Sequence, residues 1–312
     1  MVPMTKIAHD FSPHDDLIDS LDLTLRNPSP LIDAYEVSER VLLKGGKRWR
    51  PRLCLMIAEG LGLPWSKVKG YARVAELVHA ASLAHDDVID QATARRNKPT
   101  LNVLLSERKA VLAGDLLLAR AVSELCELGN SYITQRMAEV VENLSTGEWL
   151  QLDWLGKTEV SEEILSQIRF LKTGALMEWC CEVPFVLMGC GTAEIKLART
   201  LGRALGSAFQ LRDDCLDFIE GTGKAAFKDW HEGLLNSVFF EVLKAGQPLP
   251  NDPTSFEDFK SSAVLRLALE AVFEKVTNEI ERALTALESL ETEGRNFFEL
   301  KQLIEFSSKR MT

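Results

Sequence analysis

The stretch VAELVHAASLAHDDVID, residues 74–90, decides how this chain is read. Its first eleven residues are small or apolar apart from Glu76 and His79, and they include no glycine or proline. That is the composition of a helix buried over most of its circumference. Three aspartates then arrive within five positions: Asp86, Asp87 and Asp90. On a helix these carboxylates project from one narrow face, because Asp86 and Asp90 are one turn apart and Asp87 lies three residues before Asp90. Like charges at such spacings cost about 0.2–0.5 kcal/mol per pair, so water or a cation must offset them.

Outward from this stretch, helical periodicity continues almost from end to end, with little strand-like alternation. Residues 31–43, 52–62, 67–90, 107–128, 131–153, 161–188, 193–219, 234–245 and 257–291 read as helices. Gly45-Gly46, Pro64 and the Asn97–Pro99 segment end or interrupt them, and residues 246–258 read as a surface loop. No linker or internal repeat divides the 312 residues, so the expectation is one all-α domain, residues 1–312, a single bundle of many long helices with residues 1–25 as an N-terminal helix or arm. Long amphipathic helices leave apolar faces to bury, and a homodimer is expected.

Composition narrows the function class. Hydrophobic content of 46% and charged content of 26% are those of a globular protein. A net charge of −10 argues against nucleic acid as partner. The six cysteines form no CxxC and no zinc spacing, and read as buried free thiols in a reducing compartment. The N-terminus lacks a signal-peptide pattern and no apolar run is long enough for a membrane span, so a cytoplasmic protein is expected.

A second string, HDDLID at residues 14–19, nearly repeats the first acidic motif. Ser12-Pro13 before it reads as an N-cap and first helical residue, where acids complement the helix dipole. No basic pair follows it. This copy is read as an exposed helix start, and Asp15→Ala with Asp16→Ala should leave turnover nearly unchanged. The copy at residues 85–90 is followed by Arg95-Arg96 and has a counterpart in FQLRDDCLD, residues 209–217, where Asp213, Asp214 and Asp217 follow the mostly apolar TLGRALGSAFQ. Two acidic helix faces in one bundle suggest jaws for Mg²⁺, an ion bound through a few carboxylates plus substrate phosphates. The ligand that suits such jaws is a diphosphate.

With these motifs stand GGKRWRP (45–51), His79, GEWLQL (147–152), KTG (172–174) and GTGK (221–224). In this order they resemble the trans-isoprenyl diphosphate synthases, or polyprenyl synthetases. The resemblance implies an isoprenoid synthase-like bundle around a central substrate cavity. It implies a prenyltransferase that ionises an allylic diphosphate, joins the cation to isopentenyl diphosphate and releases a proton. Several Mg²⁺ ions would bridge the two Asp motifs and the allylic diphosphate. Asp86, Asp90 and Asp213 would hold metal directly, with Asp87, Asp214 and Asp217 in support. Arg95, Lys172 and Lys224 would grip the allylic diphosphate, and Lys47, Arg50, His79 and Arg96 the diphosphate of isopentenyl diphosphate. Thr173 and Gln210 would stabilise the cation. His85 reads as a supporting or packing residue, Trp49 and Trp149 read as core, and Arg48 has no assigned role. The chain departs from the family pattern at Asn97, commonly glycine, and at EGLLN (232–236), where Leu234 replaces a lysine of the common EGKxT.

Ala81 and Ser82 precede Asp86 by five and four residues, roughly 6–7.5 Å deeper along the helix. The family's short-chain farnesyl and geranylgeranyl synthases floor their pockets with bulky aromatics there. Small residues imply a medium- to long-chain all-trans product, with a short-chain synthase as the alternative. A non-catalytic partner subunit and a class I terpene cyclase are more distant rivals, since the first typically loses the Asp motifs and the second has no need of Lys47, Arg50 and Arg96.

Overall fold

The computed structural model describes residues 18, 21–25, 36–95, 98–218, 227–292 and 294–309. Most of HDDLID, and with it the expectation of an exposed helix start, lies outside the described residues, as do Arg96 and Lys224.

The main helices are α1 (Trp49–Gly60), α2 (Trp65–Ile89), α3 (Glu107–Leu128), α4 (Ser131–Asp153), α5 (Glu162–Arg169), α6 (Ala175–Leu187), α7 (Thr192–Leu216), α8 (Ser237–Lys244), α9 (Ala263–Leu290) and α10 (Phe298–Lys309). A π-helical turn, Phe170–Gly174, joins α5 to α6 without a break. Among the described residues the only strands are the two-residue pair β1 (Ala94–Arg95) and β2 (Lys98–Pro99), antiparallel, with Arg95 opposite Lys98. The all-α expectation therefore holds. The expected loop at 246–258 is shorter, because Pro253–Lys260 is helical. Proline supplies a preset φ at that first helical position. None of the described helices is long and apolar enough to cross a membrane.

The chain forms two compact units. The first comprises residues 1–134, 183–189 and 293–303. Its centre is α2 packed against α1 and α3. Glycines set the α2–α3 distance: Gly70 faces Leu128 and Gly114 faces the His85 ring, so the helices run antiparallel and close together. Arg73 ties the same pair, donating from Nε to both Glu124 oxygens at 2.9 and 3.0 Å. Phe297 stacks on Phe185 and closes over Gly60.

The second unit comprises residues 135–182, 190–292 and 304–312. Here α7 lies along α9 and against the π turn. A cluster of Phe218, Phe227, Phe239 and Phe256 packs edge-to-face just beyond the end of α7, with ring centroids 4.9–5.8 Å apart.

All six cysteines are free. Cys54, Cys180, Cys181 and Cys215 are buried as expected, and burial pushes the Cys215 thiol up to about 12. Cys126 departs from the expectation and is exposed, because α3 turns the opposite face toward α2.

Candidate functional site

The first acidic motif ends α2. Asp86 and Asp90 are half-buried, one turn apart. Asp87 is turned inward and is 0% exposed. Arg95, on β1, places Nε and Nη2 on Asp87 Oδ1 at 2.9 and 2.7 Å. The turn between them is pinned by Asn102, which donates to the carbonyls of Asp87 and Ala92, and by Thr100, which donates to Ala92. Asp87, expected in support of the metal, holds Arg95 through Oδ1, since a buried carboxylate needs a charged partner. His85 packs on Gly114, with Nε2 3.2 Å from the Val111 carbonyl oxygen.

The GGKRWRP turn resolves the unassigned arginine. Arg48 has a left-handed backbone, φ 50°, a conformation that costs an L-residue about 1–2 kcal/mol. Its side chain offsets that cost, donating from Nη1 to buried Glu76 at 2.5 Å and from Nη2 to the Leu43 carbonyl. Arg48 thus latches the turn to α2, while Lys47 stays exposed and Arg50 and His79 are half-buried. All of these residues, with Asp86 and Arg95, belong to the first unit.

The second unit carries KTG and the second acidic motif. Lys172 sits in the π turn, where one extra residue per turn rotates the side chains relative to a regular α-helix. Its Nζ is held by Glu148 Oε2 at 2.5 Å and Gln151 Oε1 at 3.0 Å. Those two residues of GEWLQL share a face of α4 at i, i+3. Gly147 beside them lets the backbone of Leu171–Lys172 approach. Trp149, expected in the core, is 72% exposed, because it stands a third of a turn from the face that Gly147, Glu148 and Gln151 present to Lys172.

Thr173 Oγ1 donates to Gln210 Oε1 at 2.9 Å, and Gln210 Nε2 donates to Asp214 Oδ1 at 3.1 Å. Asp214 Oδ2 accepts the backbone N–H of Ser237 at 3.0 Å. Burial pushes the Asp214 carboxyl up, against the lowering effect of these hydrogen bonds. Both Asp214 carboxylate oxygens are thus held by protein donors, whereas Asp87 Oδ2 is buried without a hydrogen-bond partner among the described residues. Asp213 is half-buried, and Asp217 is buried with its Oδ2 accepting the Asp229 N–H at 3.2 Å. Thr173 and Gln210, 37 residues apart, are brought together because Gly202 and Gly206 allow α7 to lie against the backbone of Gly174 and Glu178.

Each acidic motif sets a pair of carboxylates at one-turn spacing, Asp86 with Asp90 and Asp213 with Asp217. Among the described residues no group of three or more His, Cys, Asp or Glu side chains gathers as a cation cage. A carboxylate pair nonetheless fits Mg²⁺, which keeps most of its waters and uses one or two carboxylates plus substrate phosphates. Of the chain-length positions, Ala81 is fully buried and Ser82 half-buried, its hydroxyl donating to the His79 carbonyl at 2.9 Å. Glu148, Gln151, Arg169 and Ser237 were not singled out by sequence reasoning. For the first two the signal was present in the GEWLQL motif; for the others none was.

The family model for polyprenyl synthetase matches residues 33–270. The all-trans-nonaprenyl-diphosphate synthase (geranyl-diphosphate specific) of Rhodobacter capsulatus is 31% identical over 301 residues, 92% of this chain and 91% of that protein. The mitochondrial solanesyl-diphosphate synthase 1 of rice is 36% identical over 221 residues, and the match spans 64% of this chain but only 51% of that protein's length. A crystal structure of a polyprenyl synthase from Caulobacter crescentus, complexed with calcium and isoprenyl diphosphate, superposes with a TM-score of 0.82 at 25% identity, over 94% of this chain and 92% of that one. With a family match over most of its length and a relative aligned nearly end to end, the chain belongs to the polyprenyl synthetase family.

Proposed function

We propose that this chain is a trans-prenyltransferase that condenses an allylic diphosphate with isopentenyl diphosphate and makes a medium- to long-chain all-trans polyprenyl diphosphate. The observation that carries this reading is the Thr173–Gln210 hydrogen bond, joined to Asp214 and adjacent in sequence to Lys172. It sets a cation for a leaving diphosphate next to two neutral oxygens that can face an allylic cation without trapping it. Ionisation breaks the allylic C–O bond, and the negative charge that develops on the diphosphate is met by Lys172, held in place by Glu148 and Gln151. The isopentenyl double bond attacks the cation carbon, and loss of a proton restores neutrality. Arg95, fixed by Asp87, and Lys224 bind the allylic diphosphate; Lys47, Arg50, His79 and Arg96 bind the second diphosphate. Mg²⁺, held by Asp86, Asp90 and Asp213 with Asp217 in support, would supply Lewis-acid stabilisation of the departing diphosphate when bound.

The long-chain assignment is supported by the small residues Ala81 and Ser82 and by the likeness to nonaprenyl- and solanesyl-diphosphate synthases. Labelled isopentenyl diphosphate, Mg²⁺ and, in turn, dimethylallyl, geranyl, farnesyl and geranylgeranyl diphosphates should give a long all-trans product. Arrest at farnesyl or geranylgeranyl diphosphate would leave the chemistry standing and remove the long-chain assignment. A homodimer is supported by α3, whose outward face leaves Leu112 59% and Val122 57% exposed. Light scattering that finds only monomer at micromolar concentration would overturn it.

A further inference from the structure

The catalytic pair Thr173–Gln210 is oriented by a chain of hydrogen bonds that begins well outside the motifs. A side-chain amide can face a neighbour with either its carbonyl or its NH₂. At Gln210 the choice is made by Asp214. Gln210 presents Nε2 to Asp214 Oδ1, at 3.1 Å. Its carbonyl then faces Thr173, whose hydroxyl donates to it at 2.9 Å. This arrangement leaves the Thr173 oxygen lone pairs and one lone pair of the Gln210 carbonyl for an allylic cation. With the amide reversed, two N–H groups would replace the carbonyl oxygen, and their partial positive charge would repel that cation.

Asp214 is in turn fixed by the start of α8. Its Oδ2 accepts the N–H of Ser237, the first residue of that helix, at 3.0 Å. Asn236 caps the helix, its Oδ1 accepting from Val238 and Phe239 at 3.1 Å, and its Nδ2 donates to Asp229 at 2.9 Å. Asp229 donates its N–H to Asp217. Ser237 Oγ accepts from Arg169 Nη1 at 3.1 Å, and Arg169 Nη2 donates to Glu162 at 2.7 Å. Asn236, Ser237 and Arg169 are all buried. The segment in which this chain departs from the family pattern, EGLLN, therefore ends in Asn236, the N-cap of α8, which reaches the second acidic motif through Asp229.

We propose that Arg169, Asn236 and Ser237 are positioning residues for the prenyl transfer: by holding Asp214 they determine which end of the Gln210 amide faces the reacting carbon. This inference rests on the prenyltransferase reading above. It predicts a loss of cation control, which packing alone would not produce. A poorly shielded allylic cation is captured by water, giving a prenyl alcohol, free diphosphate and a proton in place of the condensed product.

Ser237→Pro separates the cases. Proline suits the first turn of a helix, where its missing N–H is not needed, and Asn236 already has the extended backbone, φ −103° and ψ 178°, that a residue before proline requires. The substitution removes the bond to Asp214, whereas Ser237→Ala keeps the N–H and loses only the hydroxyl. We expect Ser237→Pro to lower kcat between roughly 10- and 100-fold. The KM for isopentenyl diphosphate should stay within about twofold of wild type, and the alcohol share of consumed allylic substrate should rise severalfold. Ser237→Ala should do much less. Because Ser237 is buried, Asn236→Gly provides a second route. Glycine is itself an accepted N-cap, so this variant keeps the fold while loosening the start of α8, and it should move kcat and alcohol share in the same direction. Asn236→Thr, which restores a capping oxygen, should recover part of the loss. Unchanged kcat and alcohol share in Ser237→Pro, or in Asn236→Gly where the proline variant does not fold, would overturn the positioning role while leaving the prenyltransferase reading intact. A wild-type enzyme that releases no diphosphate would overturn both.

Discussion

Gly206 on α7 lies against Gly174 so closely that a Cβ there would stand 2.6 Å from the Gly174 Cα and 3.1 Å from its nitrogen. In an exposed helix, Gly→Ala gains about 1 kcal/mol. Here the new methyl meets backbone, which cannot rotate away, and overpacking costs about 1–3 kcal/mol. The clash therefore wins. Gly206→Ala should lower the melting temperature and reduce kcat by separating Thr173 from Gln210. A higher melting temperature with full activity would show that α7 can move without consequence.

The two neighbouring aspartates of the first motif should behave differently. Asp86→Ala should cost orders of magnitude in turnover and leave thermal stability close to wild type. Arg95→Ala should strand the buried Asp87 carboxylate and destabilise the protein by about 3–5 kcal/mol, in addition to weakening allylic diphosphate binding. Denaturant unfolding of both variants beside their kinetics checks this; equal stabilities would mean that the Asp87–Arg95 pair contributes nothing structural.

Product length should respond to bulk at the two small positions ahead of Asp86. Ser82→Phe and Ala81→Phe should both shorten the product. Ala81 is fully buried and Ser82 is not, so only Ala81→Phe should also carry an overpacking cost of about 1–3 kcal/mol. Chromatography of the products, with a thermal melt of each variant, separates the effects. An unchanged chain length in both variants would remove these residues from the tail's path.

Glu162 supplies a pH dependence of stability. Burial pushes its carboxyl up, but hydrogen bonds from Lys275 and Arg169 outweigh that and hold it below its ordinary 4.5. A depressed folded value means the unfolded chain takes up the proton first. The contribution is therefore fully present above about pH 4.5 and fades as pH falls through the lower folded value. Glu162→Gln should be less stable than wild type at neutral pH, and the gap should close on acidification below 4.5. A gap that stays constant from neutral pH to pH 3 would show that the ion pairs with Lys275 and Arg169 do not stabilise the fold.

The sequence by itself determined the helical class, the extents of α3 and α4, and both acidic motifs, because 3.6-residue periodicity and i, i+4 charge spacing are local properties of the chain. It also carried the family, through motifs that keep their order from residue 45 to residue 224. What it could not express is which way each charged side chain turns. Asp86 and Asp87 are adjacent and chemically identical, yet only Asp87 is buried against Arg95, and that follows from the turn pinned by Thr100 and Asn102. Trp149 reads as core by composition, but Gly147, Glu148 and Gln151 take the inward face. The pairing of Thr173 with Gln210, and the link from Asp214 to Ser237 and Arg169, join residues 23 to 68 positions apart. Only the tertiary structure decides such contacts, because they depend on how closely α7 approaches the π turn, a distance set by Gly202 and Gly206, whose missing side chains leave no pattern in the sequence, and on where α8 begins relative to Asp214.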